Sequence, residues 1–161
     1  MMSEVTALQV PAPRRRVSRW AAGASALIAI VPTAFVVVNE LESEFEDGGT
    51  IESHEVVTLA WVVVVLAAIS LSLGVSALKS TTHPEWYLAA ATGGFVGLGL
   101  ITAWLAGFYA LATVASAVAW WTGRTPGGPT AAAQGAIAVV SAAAVFALYL
   151  GENALSDALY P

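Results

Sequence analysis

The sequence predicts an all-α integral membrane protein, folded as a four-span transmembrane helical bundle with an over-long third helix. Three observations lead to this class. Of the 161 residues, 58% are hydrophobic and 11% are charged, whereas in soluble domains roughly a quarter of all residues are charged. The mean hydropathy is +0.76. The charges are also segregated, with arginines before the first apolar run and carboxylates after it.

The N-terminal part sets the predicted orientation. Residues 1–17 are polar and contain two prolines, so we expect a disordered cytoplasmic segment, followed by a single transmembrane bundle over residues 18–161. By the positive-inside rule the basic residues stay in the cytoplasm, which predicts a multi-pass protein of the plasma membrane with an external acidic loop at residues 40–55. Four spans then return the C-terminus to the cytoplasm. The topology-determining residues are Arg14, Arg15, Arg16, Arg19 and Lys79.

The first span is predicted over residues 20–39, with Pro32 inside it. A proline at this depth removes one backbone hydrogen bond and favours a kink. In the loop that follows, Leu41 and Phe45 are four residues apart and fall on one helical face. Helix 1 is therefore expected to continue outward until Gly48 ends it.

The acidic loop offers a candidate ligand site. Glu52, His54 and Glu55 form a candidate cation site, because hard cations prefer several oxygen ligands. The residue spacing of an EF-hand is absent, so the favoured interpretation is a solvated acidic loop without a metal. The same three residues also suit a membrane sensor, since a carboxylate beside a histidine stabilises its charged form.

The second span is predicted over residues 56–78. It carries Ser70 and Gly74 one turn apart, a small-residue surface suited to close helix packing. Beyond this span, Thr82 and Glu85 have the S/T-x-x-E spacing of a capping box. The next helix is therefore expected to start at Thr82.

The uncharged stretch from Trp86 to Trp121 determines the number of spans. As one helix it would be about 54 Å long, too long for one simple crossing of roughly 30 Å and barely long enough for two. We favour a single tilted helix that spans about residues 86–112 and extends to 122. A turn at bilayer depth would leave backbone groups unpaired in lipid.

The alternative has five spans, with residues 86–122 as a hairpin that turns near Ala106 and Gly107. Arg124 favours this arrangement, because a hairpin returns it to the cytoplasmic side. In either case the last span is predicted over residues 131–150, after the loop GRTPGGPT.

Small residues in the long stretch are expected to form helix-packing surfaces. Glycine and alanine let two backbones approach closely, which is how helices associate where no water drives them together. Several of these residues recur at intervals of four. The packing candidates here are Gly93, Gly97, Gly99, Ala103 and Gly107.

Several chemistries are excluded by what the predicted spans lack. They contain no Asp, Glu, Lys, Arg or His, which argues against an ion-coupled pump or a proton relay. The chain has no cysteine and no catalytic or phosphate-binding motif, so neither enzymatic activity nor a cofactor is expected. Four arginines beside a span are explained by topology, so no nucleic-acid partner is expected.

The expected function is contact with other membrane proteins. The chain is interpreted as an accessory, assembly or scaffold subunit that acts through helix–helix contacts, with the lipid bilayer and a membrane protein or further copies of itself as partners. The first alternative is an oligomeric transporter or channel module for a neutral or apolar solute. The second is a membrane sensor that uses the acidic outer loop.

Overall fold

A computed structural model describes residues 12–46, 53–78, 82–102 and 105–159. Over these residues the chain is helical and has no strands, which confirms the all-α prediction. The helices are α1 (Ala12–Glu46), α2 (Ser53–Ala77), α3 (Pro84–Ile101), α4 (Ala106–Gly123) and α5 (Ala131–Leu159).

Three of these helices are long and apolar enough to cross a membrane. The segments concerned, Arg14–Asn39, Ala60–Ala77 and Ala131–Ala154, match the first, second and last predicted spans. Helix α1 runs through Pro32 without a break and continues to Glu46, as the spacing of its last apolar residues predicts.

The long third helix predicted from the sequence is wrong. The chain leaves the helical conformation after Ile101 and starts a new helix at Ala106, so that α3 and α4 contain 18 residues each. The Thr92 hydroxyl lies 3.0 Å from that of Ser116, and α3 and α4 therefore pack side by side as an antiparallel hairpin.

The described residues of the hairpin turn, Thr102 and Leu105, form hydrogen bonds, which was not expected from the sequence. Both the amide and the hydroxyl of Thr102 donate to the carbonyl of Leu98, at 2.8 and 2.7 Å, and the amide of Leu105 donates to Thr102 at 3.0 Å. Thr102 and Leu105 are buried. The two described residues of the turn thus lie inside the protein, and their amides have hydrogen-bond partners.

Contacts between helices fix their directions. Ser18 and Ser25 of α1 bond to progressively earlier residues of α4, whereas glycines of α3 meet progressively later residues of α5. Helices α1, α3 and α5 therefore run one way and α4 runs the other. The defining pairs are Ser18 with Ala119, Ser25 with Ala112, Gly93 with Ala138 and Gly97 with Ala142.

We call the end of the bundle where α1, α3 and α5 begin the basic end, and the other the acidic end. Arg19 of α1 donates to the carbonyl of Ala77, so α2 finishes at the basic end and is antiparallel to α1. The described chain begins at Ala12 and finishes at Leu159, at opposite ends of the bundle. The four-helix prediction placed these two termini together.

The hairpin is shorter than the helices around it. Gly97 lies beside Ala142 and α3 ends four residues later, whereas α5 continues to Leu159. Thr33 of α1 meets Tyr109 near the start of α4, and α1 continues to Glu46. Helices α1 and α5 therefore extend beyond the hairpin turn at the acidic end.

The start of α3 also differs from the prediction. The helix begins at Pro84 with His83 as its N-cap, and no side chain caps it. The capping box expected from Thr82 does not form, because the carboxylate of Glu85 bonds to Thr125 instead. Proline at the first helical position is favourable, since its missing N–H would have no partner there.

Helix α3 occupies the centre of the bundle and packs against α2, α4 and α5. Its apolar side chains Leu88, Phe95 and Leu98 are at most 1% exposed and form the core with Tyr109 of α4. Gly93, Gly94 and Gly97 lie on the sides that face α2 and α5, and Gly99 faces Tyr109 of α4.

The hairpin can be tested by disulfide formation, because the natural chain has no cysteine. We expect the double variant T92C/S116C to form an intramolecular disulfide under mild oxidation, since the two native hydroxyls lie 3.0 Å apart. The measurement is a gel shift that reverses on reduction. The control pair T92C/T122C should not cross-link. A continuous helix would separate residues 92 and 116 by about 36 Å, so absence of the first cross-link would contradict the hairpin.

Candidate functional site: packing surfaces and the basic end

The candidate cation site falls largely outside the described residues. Glu52 lies outside them, and His54 and Glu55 are described only as backbone in the first turn of α2. Across the described part of the chain, no group of three or more His, Cys, Asp or Glu side chains is placed to hold a metal ion. The cation site in the acidic loop therefore stays a prediction.

Two of the predicted packing residues lie where α3 and α5 approach most closely. A side chain at Gly93 would overlap the carbonyl oxygen of Ala138. A Cβ at Gly97 would lie 2.8 Å from the Cβ of Val145. Both positions need glycine because the neighbouring atoms belong to the backbone or to a branched side chain held in the core. Gly94, between them, has the same relation to Ile69 of α2.

The other predicted packing residues have looser surroundings. Gly99 is half-buried, and the nearest atom to a Cβ there would be that of Tyr109 at 3.5 Å. Ser70 is half-buried, and its hydroxyl has no hydrogen-bond partner among the described residues. Gly74 and Gly107 are exposed, and a Cβ added at either would have no described heavy atom of another residue within 4 Å beyond its own stretch of helix. Ala103 lies outside the described residues.

A buried seam between α1 and α4 was missed by the sequence analysis. Buried residues line it on both helices at intervals of three and four, the spacing typical of helices that pack in a left-handed coil, and all of them except Tyr109 are small. On α1 these residues are Ser18, Ala22, Ser25, Ala29 and Thr33, and on α4 they are Tyr109, Ala112, Ser116, Ala119 and Gly123. The signal was present in the first apolar run as a repeat of small residues.

Hydroxyl groups join the two sides of this seam. Ser18 donates to the carbonyl of Ala119 at 2.8 Å, and Ser25 donates to that of Ala112 at 2.7 Å. Thr33 is 2.9 Å from the hydroxyl of Tyr109, whose ring stacks on Phe95. Such bonds between transmembrane helices contribute about 0.6 kcal/mol each on average.

Glu85 anchors the loop between α4 and α5 at the basic end. Its side chain is fully buried, and one carboxylate oxygen accepts a hydrogen bond from Thr125 at 2.5 Å and lies 3.5 Å from His83 Nδ1. A side chain at Gly128 would overlap this oxygen. The second oxygen has no partner among the described residues. The proline- and glycine-rich loop is thus held against the first turn of α3.

The same loop is fixed on its other side by Gln134 and an aromatic pair. The indole of Trp120 donates to the Gln134 side chain at 2.5 Å, and Gln134 donates to the carbonyl of Pro129 at 2.8 Å. The guanidinium of Arg124 lies over the ring of Trp121, 4.7 Å from its centroid, and 5.6 Å from that of Trp120.

Two open apolar grooves run along α2. The first has a volume of about 370 Å³ and lies between α1 and α2, where Ile30, Val37 and Leu66 line its wall and Ser70 and Thr33 supply hydroxyls. The second, of about 250 Å³, lies between α2, α3 and α5. Neither groove contains a charged side chain in its lining.

We expect Gly93→Ala to destabilise the bundle and Gly74→Ala to leave it as stable as the natural chain. The added methyl group at position 93 meets the backbone of α5 and must push the helices apart, a cost of about 1–3 kcal/mol for an overpacked core. Thermal unfolding of the purified protein in mild detergent measures the difference. Equal midpoints for the two variants would contradict the close approach of α3 and α5.

The described residues thus present helix-packing surfaces, apolar grooves and a charged end. Comparison of the chain with protein-family models, with curated proteins and with solved structures finds no significant match in any of the three.

Proposed function

We propose that the chain is a five-pass membrane protein that acts through helix–helix contacts. In this proposal it is an accessory, assembly or scaffold subunit of a larger membrane complex, or it assembles with further copies of itself. The observation that carries the proposal is a regular apolar stripe on the outer face of α2.

This stripe, which we call the α2 stripe, alternates small and large residues at intervals of four and three. Its large members Val64, Leu71 and Leu78 are 67%, 69% and 57% exposed. Exposed small residues lie between them, and the α1–α4 seam inside the bundle also has intervals of three and four. A repeat of this kind suits a second helix packed along α2. Its members are Ala60, Val64, Ala67, Leu71, Gly74 and Leu78.

The proposed orientation follows from the charges at the two ends. Arg14, Arg15, Arg16, Arg19 and Arg124 belong to the basic end, which the positive-inside rule assigns to the cytoplasm. The acidic loop of residues 40–55 is then external. All five helices cross the membrane in this proposal, α3 and α4 as a hairpin that starts and finishes on the cytoplasmic side.

With α1 and α5 parallel, this orientation places the C-terminus outside the cell, in contrast to the four-span expectation. At about 27 Å, each limb of the hairpin is close to the thickness of the hydrocarbon core. Thr102 and Leu105, the described residues of its turn, are buried in the protein.

A second candidate is a carrier or channel module for an apolar solute, and the groove between α1 and α2 favours it. The centre of the bundle is filled by Phe95 and Tyr109, so a route for a solute would follow this groove along α2. The sensor hypothesis rests on Glu52, His54 and Glu55 and stays a prediction.

We expect a reporter fused after Pro161 to be active only on the external side of the membrane. Two reporters are fused at this site in separate chains, one that is active only in the cytoplasm and one that is active only outside, and their activities are compared. Fusion at the N-terminus is the control and should report the cytoplasm. A cytoplasmic signal from the C-terminal fusion would contradict the five-pass arrangement.

We expect Gly74→Leu to abolish binding of a partner helix, from another membrane protein or from a second copy of the chain. We expect Ala143→Leu to preserve that binding. Both positions are exposed on apolar helices, but position 74 lies in the α2 stripe, where a large side chain blocks close approach of another helix. The natural chain and both variants are purified in mild detergent, and bound proteins and oligomer mass are measured by light scattering and mass spectrometry. A natural chain that purifies as a lone monomer would overturn the proposal.

A further inference from the structure

We propose that the basic end binds the phosphate group of an anionic phospholipid, between the first turn of α1 and Arg124. This inference rests on the membrane orientation proposed above. It concerns a specific site on the protein surface, in addition to the general effect of basic residues on topology.

Helical spacing divides the four arginines of α1 into two pairs. Arg14 and Arg15 precede Ser18 by four and three residues, and therefore share its face, which packs against α4. Arg16 precedes Arg19 by three residues, and Arg19 donates to the last carbonyl of α2 at Ala77. The first pair lies toward α4 and the second toward α2.

Arg124 completes the first group. It follows Gly123, whose backbone packs against Ser18 one turn from Arg14 and Arg15. Its guanidinium stacks on Trp121, which leaves the donors in the plane of the group free to point away from the ring. The buried Nε of Arg124 has no hydrogen-bond partner among the described residues.

The charges at this site have no acidic partner in the described protein. Glu85 is the carboxylate at the basic end among the described residues, and it is fully buried against Thr125 and His83. None of the described arginines forms an ion pair with a described carboxylate. Arginine binds phosphate with two parallel hydrogen bonds, so a phosphate oxyanion complements this group in charge and geometry.

The position of the site favours a phosphate carried by a lipid. Trp121 is 71% exposed, and exposed indoles at the end of an apolar helix are typical of the membrane interface, where headgroup phosphates lie. Basic clusters beside a transmembrane helix on the cytoplasmic side attract anionic lipids. The first turn of α1 adds the positive end of its helix dipole.

The test is a titration of the full-length protein in mild detergent with phosphatidylglycerol, with bound lipid counted by native mass spectrometry. The double variant R15Q/R124Q should bind about twenty-five-fold more weakly, because each arginine near an anionic headgroup contributes about fivefold. The matched control R16Q/R19Q removes two charges from the side that faces α2 and should stay within about twofold of the natural chain. Phosphatidylcholine should bind much more weakly than phosphatidylglycerol to the natural chain.

Each other outcome overturns the inference. Equal weakening by both double variants would indicate diffuse electrostatic attraction, and unchanged binding by R15Q/R124Q would place the lipid elsewhere. Displacement of the lipid by millimolar inorganic phosphate would assign the site to the free ion.

Thermal unfolding checks that the variants are folded, and R124K, which keeps the charge but loses the planar fork, should bind with intermediate affinity. The C-terminal reporter tests orientation separately, so that loss of lipid binding in a correctly inserted protein overturns this inference alone.

Discussion

The bundle depends on the absence of side chains on α3 at Gly93, Gly94 and Gly97, where other helices approach closely. At Gly93 the backbone of α5 lies so close that no side chain fits between the two helices. Because α3 presents little beyond backbone toward α2 and α5, it can stand in the centre with other helices on three sides. On the side toward α4, Phe95 stacks on Tyr109 and Leu88 lies beside Gly123. Dispersion contacts of this kind replace the hydrophobic effect within a bilayer.

Hydroxyl groups also stabilise the bundle, because they pair with polar backbone groups of neighbouring helices and of their own helix. Thr102 allows the chain to reverse direction inside the protein, since it bonds twice to the carbonyl of Leu98. Ser18 and Ser25 donate hydrogen bonds to carbonyls of α4 and so hold α1 against it at two positions along the helix axis. The apolar segments thus associate through short polar contacts as well as through shape, and those contacts determine which helices are neighbours.

Much of this arrangement was readable in the sequence, and its failures have physical causes. The positions of α1, α2 and α5 follow from runs of apolar residues, and the spacing of Gly93 and Gly97 was recognisable as a packing surface. The hairpin was predicted only as the alternative, because a turn within the span was assumed to contact lipid and Thr102 was treated as one more residue of the span. The α1–α4 seam was overlooked, although its repeat of small residues was visible. The bond between Glu85 and Thr125 joins residues forty positions apart, and no local pattern could indicate it.

The unequal lengths of the helices give the molecule a taper. At the basic end all five helices contribute to the cross-section, whereas beyond the turn at Thr102 the hairpin no longer does. Each limb of the hairpin is about as long as the hydrocarbon core is thick, so in a bilayer the parts of α1 and α5 beyond the turn lie past one face of that core. The two helix ends then project from that membrane surface beside the hairpin turn, where water reaches them.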